Sequence, residues 1–175
     1  ERLVEELKPN LRIYQCDFAS REQTQSLISL LSKELFDGIV NSAGIFIPTE
    51  FETFSMNVWD EVMNVNLHAP LMLVQGLRNS LREGSSIVNI ASTDGNVGSI
   101  SGFPYSASKA ALINLTMSLA NILAPRRIRV NAIAPGWIGD GMQAPKEVLD
   151  EAANYNLLGR VGSYEEAARV IEFLL

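Results

Sequence analysis

The sequence predicts an α/β domain in which helices cover both faces of a doubly wound parallel sheet. Two periodicities alternate along its 175 residues: short apolar runs rich in β-branched residues, typical of strands, and amphipathic segments of helical length. The interior runs, such as IVNI at 87–90, are apolar on both faces, as strands buried on both sides require. Strands alternating with helices form parallel sheets with right-handed crossovers, so we expect one three-layered domain over 1–175.

Each element has its own signal. Ser20, followed by Gln23, is a capping-box pattern that begins a helix reaching about residue 33. A longer helix is predicted over 59–81, with a bend at Pro70. The predicted strands cover 11–17, 36–44, 85–92 and 127–136.

Three further helices complete the pattern. An Ala- and Ser-rich helix is predicted over 105–123, Pro145 occupies the first position of a short helix, and a second capping box at 163–166 begins the last one. The chain opens on a helix-like run, ERLVEELK, and stops within an apolar helical run. Neither is typical of a protein terminus, so we expect an internal piece of a longer protein.

Composition excludes several classes of protein. Hydrophobic residues make up 47% and charged residues 19%, which argues against disorder, and charges or strong polar residues interrupt every long apolar stretch, so no membrane span is predicted. The net charge of -6 disfavours a nucleic-acid partner.

Cys16 has no partner for an internal disulfide, and no signal-peptide pattern is visible, so we expect a cytoplasmic protein in which Cys16 is a buried small hydrophobe. His68 is the sole histidine, and we expect it to face solvent or a subunit interface without binding a metal.

Polar or glycine-containing segments follow each predicted strand. They are Asp17, the NSAG run at 41–44, Ser92 and the PGW run at 135–137. In open α/β sheets ligands bind beyond the carboxyl ends of the strands, so these segments predict a binding site.

Tyr105 and Lys109 provide a candidate acid/base pair. Four residues apart at the start of a helix, they project from one face. A nearby ammonium favours the tyrosinate, so we expect Lys109 to lower the pKa of Tyr105. Ser92, thirteen residues before Tyr105, ends a strand and can face the same pocket, across a loop with three glycines. Asn66 lies in mid-helix, where a poor helix former needs a reason.

Six segments together resemble the short-chain dehydrogenase/reductase family, in order and spacing. They are NSAG (41–44), NVNLHAP (64–70), IVNIAS (87–92), YSASKAA (105–111), RVNAIAPGWI (129–138) and LLGRVGSYEEAA (157–168). The resemblance covers nearly the whole chain and implies a Rossmann-like fold, incomplete at both ends. It also implies an NAD(P)-dependent oxidoreductase that interconverts an alcohol and a carbonyl.

The resemblance also implies roles for individual residues. Tyr105 protonates or deprotonates the substrate oxygen, Ser92 hydrogen-bonds and orients it, and both bind the substrate. Lys109 lowers the pKa of Tyr105 and binds the nicotinamide ribose, while Asn66 holds a water that links Lys109 to solvent. Besides Tyr105 and Lys109, the residues implied to line NAD or NADP are Asp17, Phe18, Asn41, Ala43, Gly44, Pro135, Gly136 and Ile138, with no metal.

The sequence also departs from the family pattern. The opening strand with its glycine-rich turn and the closing strand are absent, so the strand at 11–17 lacks its expected neighbour. Asp140 stands where the family often has a threonine, which places an acidic group near a pyrophosphate. The segment 139–145 is short for the family's substrate loop, so part of that loop can be missing from the sequence at this point. Ser42 replaces the second Asn of the family's NNAG.

Several alternatives stay open. The substrate can be a 3-oxoacyl thioester, or a sugar or polyol. Asp94 can bind a substrate hydroxyl or cap its own loop, and we favour the loop cap. Trp137 can lie in the core or line the substrate pocket. A sugar-nucleotide epimerase-like relative and a degenerate, non-catalytic member are the alternative functions. By resemblance we expect a homotetramer or homodimer formed through the helices at 59–81 and 105–123.

Overall fold

The structure is a computed structural model that describes residues 11–175. The helix-like run that opens the chain lies outside the described residues. From residue 20 onward the predicted helices and strands follow one another in the expected order. The strands are β1 (Phe36–Asn41), β2 (Leu81–Ile90) and β3 (Arg129–Ile133). The α-helices are α1 (Arg21–Leu31), α2 (Met56–Met63), α3 (Ala69–Leu77), α4 (Asp94–Val97), α5 (Phe103–Leu123), α6 (Lys146–Tyr155) and α7 (Tyr164–Leu174).

The three strands form one parallel sheet in the order β1-β2-β3, with helices on both faces. Successive residues of a strand point to opposite faces, and Ser86 and Ile87 of β2 show both coverings. Ile87 packs in the main core cluster with residues of α3 and α5, including Val74 and Leu119. The Ser86 hydroxyl donates to the carbonyl of Leu174 in α7, 2.7 Å away. The predicted three-layer α/β class is therefore confirmed.

The predicted strand at 11–17 is wrong. These residues adopt no regular structure and are mostly exposed, with Ile13 68% accessible. A strand needs the backbone groups of a neighbour, and among the described residues β1 pairs only with β2. An apolar, β-branched run is therefore not sufficient when no strand lies beside it.

The helix predicted over 59–81 is three segments. A π-helical turn, Asn64–His68, separates α2 from α3, and Pro70 is the second residue of α3, where it has no N–H to donate to the preceding turn. The irregularity therefore begins before the proline that predicted a bend. The helix also ends at Leu77, and β2 begins at Leu81, four residues earlier than predicted.

The predicted helix starts differ in detail. The Ser20 hydroxyl accepts the Gln23 N–H at 3.2 Å, but the Gln23 side chain accepts from Asp17, so only half of a capping box forms. The box at 163–166 is complete and begins α7. Pro145 precedes α6 as its N-cap and is not its first residue.

One helical stretch of the described chain, Phe103–Arg126, is long and apolar enough by length and composition to cross a membrane. It is the core helix of this fold: Leu112, Leu119 and Leu123 are buried, the last two in the main cluster. Its apolar composition does not indicate a membrane protein.

Candidate active site

Tyr105 and Lys109 lie in the first two turns of α5, on the same side of the helix. The Lys109 ammonium is 5.6 Å from the centroid of the Tyr105 ring, and the residue is 4% exposed. The ammonium donates a hydrogen bond of 2.6 Å to the carbonyl of Ile90, the last residue of β2. The long α5 therefore presents both groups at the carboxyl end of the sheet, as the spacing predicted.

Ser92 lies two residues beyond the end of β2 and is buried. Its hydroxyl accepts the N–H of Asp94 at 3.2 Å, and it lies close enough to the Tyr105 phenol to lower the pKa of that group. The backbone N–H of Thr93 donates to the carbonyl of Pro135, which ties this strand end to the PGW run. Segments that follow β2 and β3 thus meet beside Tyr105.

The pKa of Tyr105 is raised, which is opposite to the direction predicted from the sequence. Burial of the phenol is the largest cause; the Ser92 hydroxyl lowers the pKa, and the charge of Asp94 raises it further. Burial lowers the pKa of Lys109 to about 8. Spacing correctly predicted that the two side chains are neighbours, but desolvation, which spacing does not reveal, determines the direction of the pKa shift.

Asn66 is fully buried in the π-helical turn and ties three segments together. Its amide oxygen accepts the N–H of Ile45 at 2.9 Å, while its amide nitrogen donates to the Ile45 carbonyl and to the Ser108 hydroxyl, both at 3.0 Å. Both amide N–H groups are thus used within the protein. The role predicted for Asn66, holding a water that links Lys109 to solvent, stays a prediction.

The NSAG run reaches the same place through Gly44. A Cβ added there would lie 3.4 Å from the Lys109 nitrogen and 3.5 Å from the Asn66 amide oxygen. Its first residue, Asn41, is buried at the end of β1 and donates to the Asn89 amide oxygen at 2.7 Å. Asn89 donates in turn to Thr116 of α5 at 2.9 Å.

A cavity of about 140 Å³ opens beside the NSAG run. Three residues predicted to line a cofactor are in its wall, namely Phe18, Asn41 and Ala43. Asp17 is exposed at the preceding turn, where its carboxylate accepts the Ala19 N–H. The structure thus gathers part of the predicted cofactor surface around one concavity.

Pro135, Gly136 and Ile138 follow β3 in an extended segment. Ile138 forms a parallel bridge with Gly162, made by bonds from Gly139 N–H to the Gly162 carbonyl and from Gly162 N–H to the Trp137 carbonyl. In this pattern the Ile138 carbonyl accepts from Gly141, and its N–H meets no acceptor within residues 11–175. That N–H is the group predicted to bond a carboxamide.

Tyr164 is a contact that sequence reasoning missed. Its hydroxyl donates to the Asp140 carboxylate at 2.7 Å, which lowers the pKa of that carboxyl, and its ring lies over Gly139. Part of the signal was present, since Asp140 stands where the family often has a threonine. Asp140 is thus held by α7.

The remaining predictions concern three single residues and metal binding. Cys16 is half-buried and does not lie in the core as predicted, because the segment around it forms no strand. His68 is half-buried against Arg21 and Asn64. Trp137 is 43% exposed, which excludes a core position. Within the described chain, no three metal-binding side chains cluster.

Comparisons with known proteins support the assignment to a family. A family model described as enoyl-(acyl carrier protein) reductase matches residues 1–175. The 3-oxoacyl-[acyl-carrier-protein] reductase FabG of Aquifex aeolicus is 42% identical over 80% of this chain, which spans 59% of that relative's length.

Two solved structures share the fold. A short chain dehydrogenase family protein from Francisella tularensis matches with a TM-score of 0.89 and 27% sequence identity. The match covers 95% of this chain and 74% of the Francisella chain. A blue fluorescent protein from a metagenomic library, in complex with NADPH, matches with a TM-score of 0.89 and 29% identity, over 99% and 73%. The sequence match over the whole chain and the shared fold agree: the chain belongs to the short-chain dehydrogenase/reductase family.

Proposed function

We propose that this chain carries the catalytic groups of an NAD(P)-dependent oxidoreductase that interconverts an alcohol and a carbonyl. The observation that carries the proposal is the grouping of Tyr105, Lys109 and Ser92 at the carboxyl edge of the sheet, with the Lys109 ammonium 5.6 Å from the phenol ring. A general acid/base and a hydroxyl that can orient a substrate oxygen are the groups this reaction needs from a protein.

The residues present fit a nicotinamide dinucleotide. Gly44 keeps the backbone clear of a side chain between Lys109 and Asn66, and the cavity beside Phe18 and Asn41 offers an apolar concavity. Lys109 uses one of its three N–H donors on Ile90, which leaves two for ribose hydroxyls. When bound, the nicotinamide supplies or takes up the hydride.

The protein's own groups then manage the proton. Because burial raises the pKa of Tyr105, its phenol is protonated at neutral pH and donates to a carbonyl oxygen in the direction of reduction. The Ser92 hydroxyl hydrogen-bonds the same oxygen and orients it. Lys109, whose pKa is lowered to about 8, holds a proton that it exchanges near neutral pH and passes towards solvent at the Asn66 turn.

We also propose a cytoplasmic homotetramer or homodimer formed through the long helices. Apolar side chains on the outer sides of α3 and α5 support it: Leu71 is 37% exposed, Met117 55% and Ile122 67%. Burial of such a surface against a second copy is favourable. The substrate in this proposal is a small carbonyl compound or alcohol, with no nucleic acid and no membrane as partner.

The test compares Tyr105→Phe with Tyr155→Phe in the protein expressed from its full reading frame. Tyr155 is 82% exposed on α6 and serves as the matched control. We expect Tyr105→Phe to lose turnover while the affinity for dinucleotide, measured by nicotinamide fluorescence, stays near that of the unmodified protein. Retained turnover in Tyr105→Phe would contradict the acid/base role. Absence of dinucleotide binding in the unmodified protein would favour the non-catalytic alternative.

A further inference from the structure

A one-turn helix, α4, is held between the two elements that carry the proposed catalytic groups. A Cβ added at Gly95 would lie 2.9 Å from backbone atoms of Lys109 and Ala110, so α4 contacts the backbone of α5 directly. The N–H of Gly95 also donates to the carbonyl of Ser92 at 3.1 Å. Asp94 is the first residue of α4. Its position is therefore fixed by the contacts that α4 makes with Ser92 and α5.

The carboxylate of Asp94 is half-buried and makes no polar contact with the protein. Among residues 11–175 its oxygens accept no hydrogen bond and pair with no Arg or Lys, although its backbone N–H donates to Ser92. No side-chain oxygen in the described chain is both fully buried and unpaired, so these oxygens reach open space. An aspartate that caps a loop accepts a hydrogen bond from a backbone N–H. The Asp94 carboxylate accepts none, so the structure does not support the loop cap that we favoured from the sequence.

Asp94 lies close to the Tyr105 phenol, because its backbone N–H bonds the Ser92 hydroxyl at 3.2 Å and that hydroxyl lies near the phenol. The charge of Asp94 acts on that phenol, and burial raises the pKa of the Asp94 carboxyl itself. Lys109, the nearest buried cation on α5, donates to Ile90 and makes no ion pair with Asp94. An unpaired anionic acceptor therefore lies next to the groups proposed to hold the reacting oxygen.

A partly desolvated carboxylate needs a hydrogen-bond donor, and a bound substrate can supply it. Hydrogen bonds to a charged acceptor are stronger than neutral ones, and leaving such an acceptor unpaired in a complex is costly. A hydroxyl on a carbon next to the reacting one is such a donor. An oxoacyl thioester carries only C–H groups on the carbons that flank its reacting carbon, and its thioester oxygen is an acceptor, so it offers Asp94 no hydrogen-bond donor.

Building on the proposed oxidoreductase function, we propose that Asp94 is a substrate-binding residue that accepts a hydrogen bond from a hydroxyl flanking the reacting carbon. The substrates are then polyhydroxylated alcohols and their hydroxyketones, and not acyl thioesters. Hydrogen bonds to a charged group contribute about 1.5–3 kcal/mol, which corresponds to about 10- to 150-fold in kcat/KM.

The test uses substrates that differ only in the flanking hydroxyls, dihydroxyacetone and acetone, with an acetoacetyl thioester as the competing class. The protein expressed from its full reading frame is assayed with NADH and NADPH as Asp94→Ala, Asp94→Asn and the unmodified form. Asp37→Asn removes an exposed carboxylate at the start of β1, far along the strand from the site, and is the control. The quantity compared is the ratio of kcat/KM for the two ketones, because their intrinsic difference in reactivity cancels between variants.

We expect Asp94→Ala to lower that ratio about 10- to 150-fold, chiefly through KM for dihydroxyacetone. Asp94→Asn, which keeps an acceptor oxygen but no charge, should fall between, and Asp37→Asn should leave the ratio unchanged. An unaltered ratio in Asp94→Ala, or a higher kcat/KM for the thioester than for dihydroxyacetone, would overturn the assignment of Asp94 while the oxidoreductase proposal stands. Absence of any dinucleotide-dependent turnover in the unmodified protein would overturn both.

Discussion

Replacing Lys109 with methionine should change how the free energy of unfolding depends on pH. The ammonium is 4% exposed, pairs with no carboxylate among residues 11–175, and has a pKa lowered from 10.5 to about 8 by burial. Because the folded-state pKa lies below the unfolded one, the unfolded chain binds more protons between about pH 8 and 10.5. The free energy of unfolding therefore rises with pH through that window.

The magnitude follows from the pKa difference. A shift from 10.5 to about 8 is about 2.5 pH units, and at about 1.4 kcal/mol per unit it amounts to about 3 kcal/mol. Below pH 8 this cost is present in full, and by pH 10.5 it is largely removed. Lys109→Met also loses the bond to the Ile90 carbonyl, at a cost of about 1–3 kcal/mol, but that loss does not depend on pH.

Urea unfolding of the two proteins at a series of pH values from 7 to 10.5 measures the effect. We expect the difference in unfolding free energy, unmodified minus Lys109→Met, to become more positive by about 3 kcal/mol across the series. Groups common to both proteins cancel in that difference. Lys33→Met, at an exposed position after α1, should show no comparable trend. A difference that stays constant with pH for Lys109→Met would refute the argument that this lysine is charged at a desolvation cost.

Three other changes test separate features. Asn89→Ala should lower the free energy of unfolding by about 1–3 kcal/mol in chemical denaturation, because it leaves the buried amide of Asn41 without its acceptor; a loss no larger than that of the exposed Asn121→Ala would contradict this. Gly95→Ala should lower both the melting temperature and turnover, since its Cβ meets the backbone of α5 at 2.9 Å, and unchanged values would show that α4 can shift freely. Ser163→Ala should cost about 1 kcal/mol in thermal unfolding by removing the cap of α7, and no change would mean that this helix end contributes little.

Local signals predicted most of the architecture. Periodicity predicted β1, β2 and β3 to within a few residues, and the capping box at 163–166 begins α7 as expected. The segment 11–17 has the same apolar character but forms no strand, because strand formation depends on a neighbour that local sequence does not report. The π-helical turn at 64–68 was likewise invisible, since it arises where Asn66 bonds the backbone of a distant loop.

For the candidate site, the sequence predicted proximity better than energetics. Spacing placed Tyr105 and Lys109 together, but the direction of the Tyr105 pKa shift depends on how deeply α5 is packed, which spacing does not contain. The contact between Asp140 and Tyr164 joins residues 24 apart and depends on how α7 lies against the segment after β3. Such contacts become predictable only when the tertiary arrangement is known.

The hydrogen-bonded chain from Asn41 through Asn89 to Thr116 has a consequence for how the sheet assembles. Asn41 and Asn89 are direct partners in the pairing of β1 with β2. A slip of one residue would place Asn41 beside Val88 or Ile90 and turn a polar amide away from its partner into an apolar interior. Apolar side chains alone would tolerate several alignments of two such strands. The paired amides penalise the incorrect ones, so two polar residues in the core direct the chain to a single alignment.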